Sequence, residues 1–226
     1  DVIKFIEKYE NVTFVEAVKI LADGCGMKLP ELAQTSKDLE NLKLKAECLK
    51  ATNLAMQFYK ESLNLNTTNA QNARQYLQNR QLGSEIIGQF NIGFSPDWNS
   101  LVNFLQKSGI DKKIMKLAGL IDYNEQNSAY DFFGNRLIFP ILNTYGEPIG
   151  FTARTLETNP SFAKYKNSSQ SLIFDKSRIV YNLNSVRELK KQQQIHNIII
   201  CEGTIDVIAM YKAGFKNTVA CMGTAF

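Results

Sequence analysis

The stretch IIICEGTIDVIAMYKAGF, Ile198 to Phe215, sets two carboxylates four residues apart, Glu202 and Asp206, at the end of an apolar run. That spacing brings both side chains to the same side of a helix start. In parallel sheets, ligands and catalytic groups gather where a strand's carboxyl end turns into the next helix. A pair of acids there suits a divalent cation, because Mg²⁺ is held by one or two carboxylates and completed by water and substrate phosphates. The same acids also have a plainer use. Asp206 can complement the helix dipole and Glu202 can be a solvated loop acid. Gly203, between them, removes a Cβ at the turn. Softer ligands are scarce: Cys25, Cys48, Cys201 and Cys221 have no C-x-x-C spacing and His196 is the sole histidine, so they assemble no zinc site. Reduced thiols in a cytoplasmic protein are the expectation.

A second chemistry lies upstream. Arg136, Arg154, Lys164, Lys166, Lys176 and Arg178 recur among Phe151, Phe162, Tyr165 and Tyr181. Cations that neutralise phosphates, interleaved with aromatic faces that accept any base, make a candidate track for single-stranded nucleic acid. Scattered solvated charges and core aromatics would give the same composition. The formal net charge of +4 is mild, and it is unevenly spread: residues 1–135 carry −1, residues 136–181 carry +3 and residues 182–226 carry +2.

These groups need elements to hold them. Thr13 and Glu16 form a capping-box pattern ahead of Phe14, Ala17, Val18 and Leu21, with Gly24 and Gly26 as stop signals. KLPELAQTSKD reads as a linker. Leu39, Leu42, Ala46, Leu49 and Met56 form a helical stripe expected to be core, and a second helix spans about 70–77. Ser84 is expected to cap a short helix to Gln89, FNIGF turns extended, and NSLVNFLQKSG and KKIMKLAG are helices ending at glycines. Trp98 is expected to pack under the helix it begins. RLIFPIL, NTYG and EPIGFTARTL then read as strand, turn and strand of an antiparallel hairpin. After a polar helix from Ser185, the run NIIIC suits a strand covered on both faces, with Cys201 buried. NTVAC, after the helix starting near Thr204, supplies its parallel partner in a right-handed βαβ unit. The fold class is α/β: an α+β N-terminal subdomain followed by a partial Rossmann-like βαβ. No run of 18 apolar residues suggests a membrane span.

CEGTIDVIAMYKAG followed by VACMGTAF resembles the opening half of a TOPRIM domain, the metal-binding module of primases, topoisomerases and some nucleases. With NRLIFPILNTYGEPIGFTART, AKYKNSSQSLIFDKSRIVYNLN, NARQYLQNRQLGSEIIGQFNIGFSPDWNSLVNFL and DVIKFIEKYENVTFVEAVKILADGCGMKLPE in collinear order, the whole chain resembles a DnaG-type bacterial DNA primase. The resemblance implies residues 1–30 as the end of a zinc-binding domain, 31–38 as a linker, 39–195 as the N-terminal subdomain of the RNA polymerase domain, and 196–226 as the first half of TOPRIM. The chain then reads as a fragment.

The implied activity is primer synthesis: a nucleotidyltransferase making short RNA from ribonucleoside triphosphates on single-stranded DNA. Glu202 takes the family's catalytic position and binds Mg²⁺ or Mn²⁺ with Asp206. Gly203 and Gly223 are turn residues. Arg136, Arg154, Lys164, Tyr165, Asn167, Lys176 and Arg178 face template or nucleotide. Zn²⁺ belongs to ligands ahead of residue 1, and a replicative helicase is met through a C-terminal domain outside this chain. The sequence departs from the family at Thr204, where an aromatic is usual, and at Cys221, where a small hydroxyl residue is common. The Asp-x-Asp strand of the complete metal site is not in the chain. Two rivals remain: another TOPRIM enzyme such as a nuclease, and a non-catalytic nucleic-acid-binding module.

Overall fold

The computed structural model describes residues 2–10, 12–27, 36–157 and 162–222, with side chains from Leu39 onward in the third segment. The chain divides into two compact units, Asp1–Lys43 and Leu44–Phe226. In the first, α1 (Val2–Glu10) meets α2 (Phe14–Gly24). The capping box at Thr13 is formed in full: Thr13 Oγ1 accepts from the Glu16 N–H, and the Thr13 N–H donates to Glu16 Oε2 at 2.8 Å. Gly26 takes a positive φ of 64° just beyond α2. Of the linker reading, residues 28–35 lie outside the described residues, and α3 (Ser36–Ser62) already begins at Ser36.

The second unit is built on α3 from Leu44 onward, α4 (Thr68–Asn79), α5 (Ser84–Gln89), β1 (Gly93–Ser95), α6 (Ser100–Lys107), α7 (Lys112–Leu117), β2 (Ile121–Tyr123), β3 (Ala129–Asp131), β4 (Arg136–Leu142), β5 (Pro148–Thr155) and β6 (Tyr165–Asn167). It continues with β7 (Val180–Tyr181), α8 (Leu183–Gln192), β8 (Ile199–Cys201), α9 (Thr204–Lys212) and β9 (Thr218–Cys221). Strands β1-β4-β5-β6 form an antiparallel sheet, β2 and β3 a ribbon, and β7-β9-β8 a small mixed sheet in which β8 and β9 run parallel. The parallel pairing matches the βαβ expectation.

The α3 stripe is corrected in detail. Leu39 and Leu42 are exposed, while the buried face is Cys48, Ala51, Thr52, Ala55 and Tyr59. Small residues win because the helix backbone lies close to the sheet: a Cβ on Gly93 of β1 would come within 2.6 Å of the Tyr59 carbonyl carbon. Ser84 is the first residue of α5 and Gly83 its N-cap, without a side-chain bond. Pro140 sits in β4 beyond the reach of β1, which pairs only with Arg136–Ile138, so its missing N–H breaks no ladder on that side.

The hairpin β4–β5 is buried on both faces. One face joins a cluster containing Leu77, Phe94, Leu137, Phe139, Phe174, Tyr181, Val207 and Ile208, and the other a cluster containing Ala51, Tyr59, Leu105, Met115, Phe133 and Phe151. Phe151 and Tyr181 are therefore core, and the expectation that they interleave a binding track is corrected. Trp98 is not packed under α6: it is 43% exposed, its indole lies where a Cβ on Gly134 would fall, and it meets Tyr130 edge-on at 6.2 Å.

The start of α6 shows how the two halves of this core are tied. Its N-cap, Asn99, makes no side-chain cap bond. Instead Asp97 Oδ1 accepts from the Asn99 and Ser100 N–H groups, and Asp131 of β3 accepts from Leu101 N–H at 2.7 Å and Val102 N–H at 2.8 Å. Two aspartates thus satisfy the amides that a helix start leaves open. Burial pushes the fully buried Asp131 carboxyl up to about 6, against the pull of the Leu101 and Val102 N–H groups.

Asp131→Asn presents one acceptor to two amides and is expected to lower stability by about 1–3 kcal/mol in chemical denaturation at neutral pH. The folded chain keeps this proton to about pH 6, whereas the unfolded chain releases it near 3.8. Between these values the folded state binds more protons, so the Asp131 contribution falls as pH rises through the window. The stability gap between wild type and Asp131→Asn should accordingly narrow from about pH 4 to about pH 6 and stay level above.

Candidate active site and nucleic-acid interface

At the carboxyl end of β8 the chain turns at Glu202 and Gly203 into α9, whose buried face of Thr204, Val207 and Ile208 anchors it to the core. Glu202 and Asp206 are both exposed. Asp206 Oδ2 accepts the Gly203 N–H at 3.1 Å, so this acid closes the first turn of α9, and its second oxygen accepts no hydrogen bond among the described residues. Its charge also lies near Cys201, whose thiol is pushed up by burial first and by Asp206 second. Gly203 has an extended backbone, φ −147°, and a Cβ there would meet only Asp206 Oδ2 at 3.5 Å. The turn therefore does not depend on the absent Cβ invoked from the sequence. Gly223 lies outside the described residues. Among the described residues no three carboxylate, histidine or cysteine groups gather at one point.

The run NIIIC is not covered on both faces. Ile198 and Ile200 are exposed, Ile200 at 56%, and Cys201 is only half-buried. Among the described residues β8 has a single neighbour, β9, and α9 covers one side.

The basic residues divide by strand alternation, since directly opposed residues share a face. Arg154 opposes Leu137 and Tyr165, and Thr152 opposes Asn167. Arg154, Tyr165 and Asn167 thus share one face. Lys166 opposes Ala153, which opposes Ile138, two residues beyond Arg136, so Lys166 and Arg136 share the other. The sequence brought all of these into one track, and the structure separates them.

Three of the cations, Arg154, Arg136 and Lys166, are held by rings and carbonyls. Arg154 is 8% exposed, its guanidinium carbon 4.2 Å from the Tyr76 ring centre and 6.0 Å from that of Tyr165, with Nη1 donating to the Thr155 carbonyl and Nε buried without a hydrogen-bond partner among the described residues. Arg136 is 5% exposed, donates to the Ala163 and Lys164 carbonyls and lies 4.9 Å from the Phe162 ring. Burial lowers its pKa. Lys166 Nζ donates to the Phe132 carbonyl at 2.7 Å over the Phe132 ring, and burial, then the nearby Arg136, lower its pKa. Lys164 and Tyr165 are exposed and Asn167 half-buried. Lys176 and Arg178 are exposed on a 3₁₀ turn capped by Asp175.

One member escaped the sequence reading. Arg80, beyond the end of α4, sits 5.5 Å from the centre of the same Tyr76 ring that Arg154 covers. The i, i+4 spacing of Tyr76 and Arg80 was the available signal.

A family model for the N-terminal domain of the DNA primase catalytic core matches residues 58–187, and one for the Toprim domain matches residues 196–226. The DNA primase of Lactococcus lactis is 38% identical over 226 residues, an alignment covering all of this chain and 34% of that protein. The RNA polymerase domain of Mycobacterium tuberculosis primase DnaG, solved with a double-stranded DNA oligomer carrying a 6-nucleotide overhang, superposes with a TM-score of 0.72 at 34% identity, covering 80% of this chain and 56% of that one. The Aquifex aeolicus primase, with its zinc-binding and RNA polymerase domains, covers all of this chain and 52% of its own at 26% identity and a TM-score of 0.71. This chain spans about a third of the length of the curated relatives it matches. It belongs to the DNA primase family, with the N-terminal domain of the catalytic core running into a Toprim domain.

Proposed function

We propose that the chain serves a DNA-templated RNA polymerase that makes short RNA primers on single-stranded DNA from ribonucleoside triphosphates. The observation that carries this is the parallel β8–α9–β9 unit with an exposed Glu202 at the strand's carboxyl end, whose helix shares a core with the sheet that carries the Arg154 ring contacts. Glu202 is the catalytic carboxylate, and Glu202 with the second oxygen of Asp206 would hold Mg²⁺ or Mn²⁺. A divalent ion there offsets charge on a transferring phosphoryl group. Residues 1–30 are assigned to the end of a zinc-binding domain, 31–35, ahead of α3, to a linker, 36–195 to the N-terminal subdomain and 196–226 to Toprim. The alignment of the whole chain with the Aquifex aeolicus primase, which has zinc-binding and RNA polymerase domains, supports reading both kinds of domain in it. Zn²⁺ and a replicative helicase would engage other parts of such a protein.

On the nucleic-acid side, Arg154 and Tyr165 present a cation and an exposed ring on one face, with Asn167 beside them and Lys164 adjacent. These, with Arg80, are the proposed template contacts. The half-open ring of Tyr165 stacks a base, and Lys164 neutralises a phosphate. Arg136, turned to the opposite face, acts by fixing the carbonyls of Ala163 and Lys164 and hence the start of β6. Lys176 and Arg178 are proposed as outer phosphate or nucleotide contacts.

Two measurements test the reading. Glu202→Gln, in a protein of the relatives' full length, should lower primer synthesis on single-stranded DNA with Mg²⁺ or Mn²⁺ by about two orders of magnitude or more while leaving DNA affinity near wild type. Full activity of that variant would remove Glu202 from the catalytic centre. Lys164→Ala in the present chain should weaken single-stranded DNA binding about equally for all sequences and flatten the plot of log affinity against log salt by about 0.7. An unchanged slope would move the track off β6.

A further inference from the structure

A cleft of about 280 Å³ lies between the end of α4 and the outer side of α9, lined by Arg80, Leu82, Ile205, Ala209, Lys212 and Ala213. Ile205, Ala209, Lys212 and Ala213 recur at intervals of four, three and one, one stripe of α9. The floor is apolar and the two polar walls are both cations. Among the described residues no acidic side chain lines the cleft. Lys212 Nζ donates to Gln81 Oε1 at 3.1 Å and Arg80 faces the Tyr76 ring, and neither has a carboxylate partner among the described residues. Two uncompensated cations across an apolar strip fit a backbone phosphate with a sugar or base laid between them.

The cleft is continuous with the stacked cations of the sheet. Arg80 and Arg154 share the Tyr76 ring, and Arg154 reaches Tyr165, so Lys212, Arg80, Arg154 and Tyr165 follow one another without an intervening acid in these contacts. The other end of the same helix carries Asp206 and, one residue before its N-cap, Glu202. Lys212 stands six residues past Asp206, about 9 Å along the axis at the α-helical rise.

We infer that Lys212 is a nucleic-acid contact, and that the Ile205–Ala209–Ala213 strip of α9 is a rail along which a single strand passes from the β5–β6 face toward the carboxylate end of that helix. The inference rests on the nucleic-acid reading above and adds to it a residue in the Toprim segment. The ligand is a single-stranded phosphodiester backbone, whether DNA template or RNA product.

The test is fluorescence anisotropy of labelled oligo-dT and oligo-rU of equal length, titrated with the 226-residue chain over a salt series. Lys212→Ala should keep the wild-type melting temperature and flatten the salt slope by about 0.7. Lys212→Arg should restore the slope. Gln81→Ala, which removes the hydrogen-bond partner and keeps the charge, should leave it unaltered. Flattening with oligo-dT alone assigns the template, with oligo-rU alone the product, and with both a shared path, each in support. A slope unchanged by Lys212→Ala on both oligomers, where Lys164→Ala flattens it, overturns the inference and leaves the interface on β6 standing. Slopes unchanged in both variants overturn the interface as well.

Discussion

Everything in the larger unit is referred to one hairpin, β4–β5, whose residues are buried along almost their whole length. A sheet with both faces covered cannot slip by one residue without exchanging its two cores, because side chains alternate between faces. That constraint fixes which cations point where. Arg154 goes with Leu137 toward the cluster that also seats α9, and Arg136 goes with Ile138 toward the cluster around Tyr59. The sheet of the N-terminal domain and the first helix of the Toprim segment therefore share a core, and the basic face is oriented by the same packing that holds the carboxylate helix.

Among the described residues, the buried Arg154 and Arg136 and the half-buried Lys166 are held by rings and carbonyls and make no ion pair, with Glu157 and Asp122 acting on Arg136 and Lys166 only through space. Arg154 uses two tyrosine rings and a carbonyl, Arg136 a phenylalanine ring and two carbonyls, Lys166 a phenylalanine ring and one carbonyl. Ring faces attract a cation without neutralising it. A phosphate arriving beside Arg154 finds a guanidinium already restricted in orientation by its rings, which reduces the ordering that binding requires. Lysine at the Arg154 position would lose the planar stacking between Tyr76 and Tyr165.

Much of this was legible in the sequence. The Thr13–Glu16 box, the hairpin, the βαβ unit and the positions of Glu202 and Asp206 follow from local rules of capping, period and turn chemistry. What failed depended on distant packing. Leu39 and Leu42 looked like core by period, but the close contact of Gly93 with the Tyr59 backbone selects alanines and a cysteine for the buried face of α3. NIIIC looked doubly buried by composition, yet Ile200 is exposed because β9 and α9 cover only part of β8. The basic residues looked like one track because sequence order does not reveal face until strand register is known. Arg80 was missed for the complementary reason: its link to Arg154 runs through a ring 78 residues before the latter in the chain.

Trp98 is the chain's sole tryptophan, and it lies on Gly134 beside Tyr130, at the joint between α6 and the β3–β4 connection. Its emission therefore reports the polarity of that joint alone. The β7–β9–β8 sheet carries no fluorophore of that kind, so loosening around Glu202 would pass unseen in tryptophan fluorescence while altering the far-ultraviolet signal. Coincidence of the two optical transitions would be direct proof that the Toprim segment melts together with the sheet on which its helix rests.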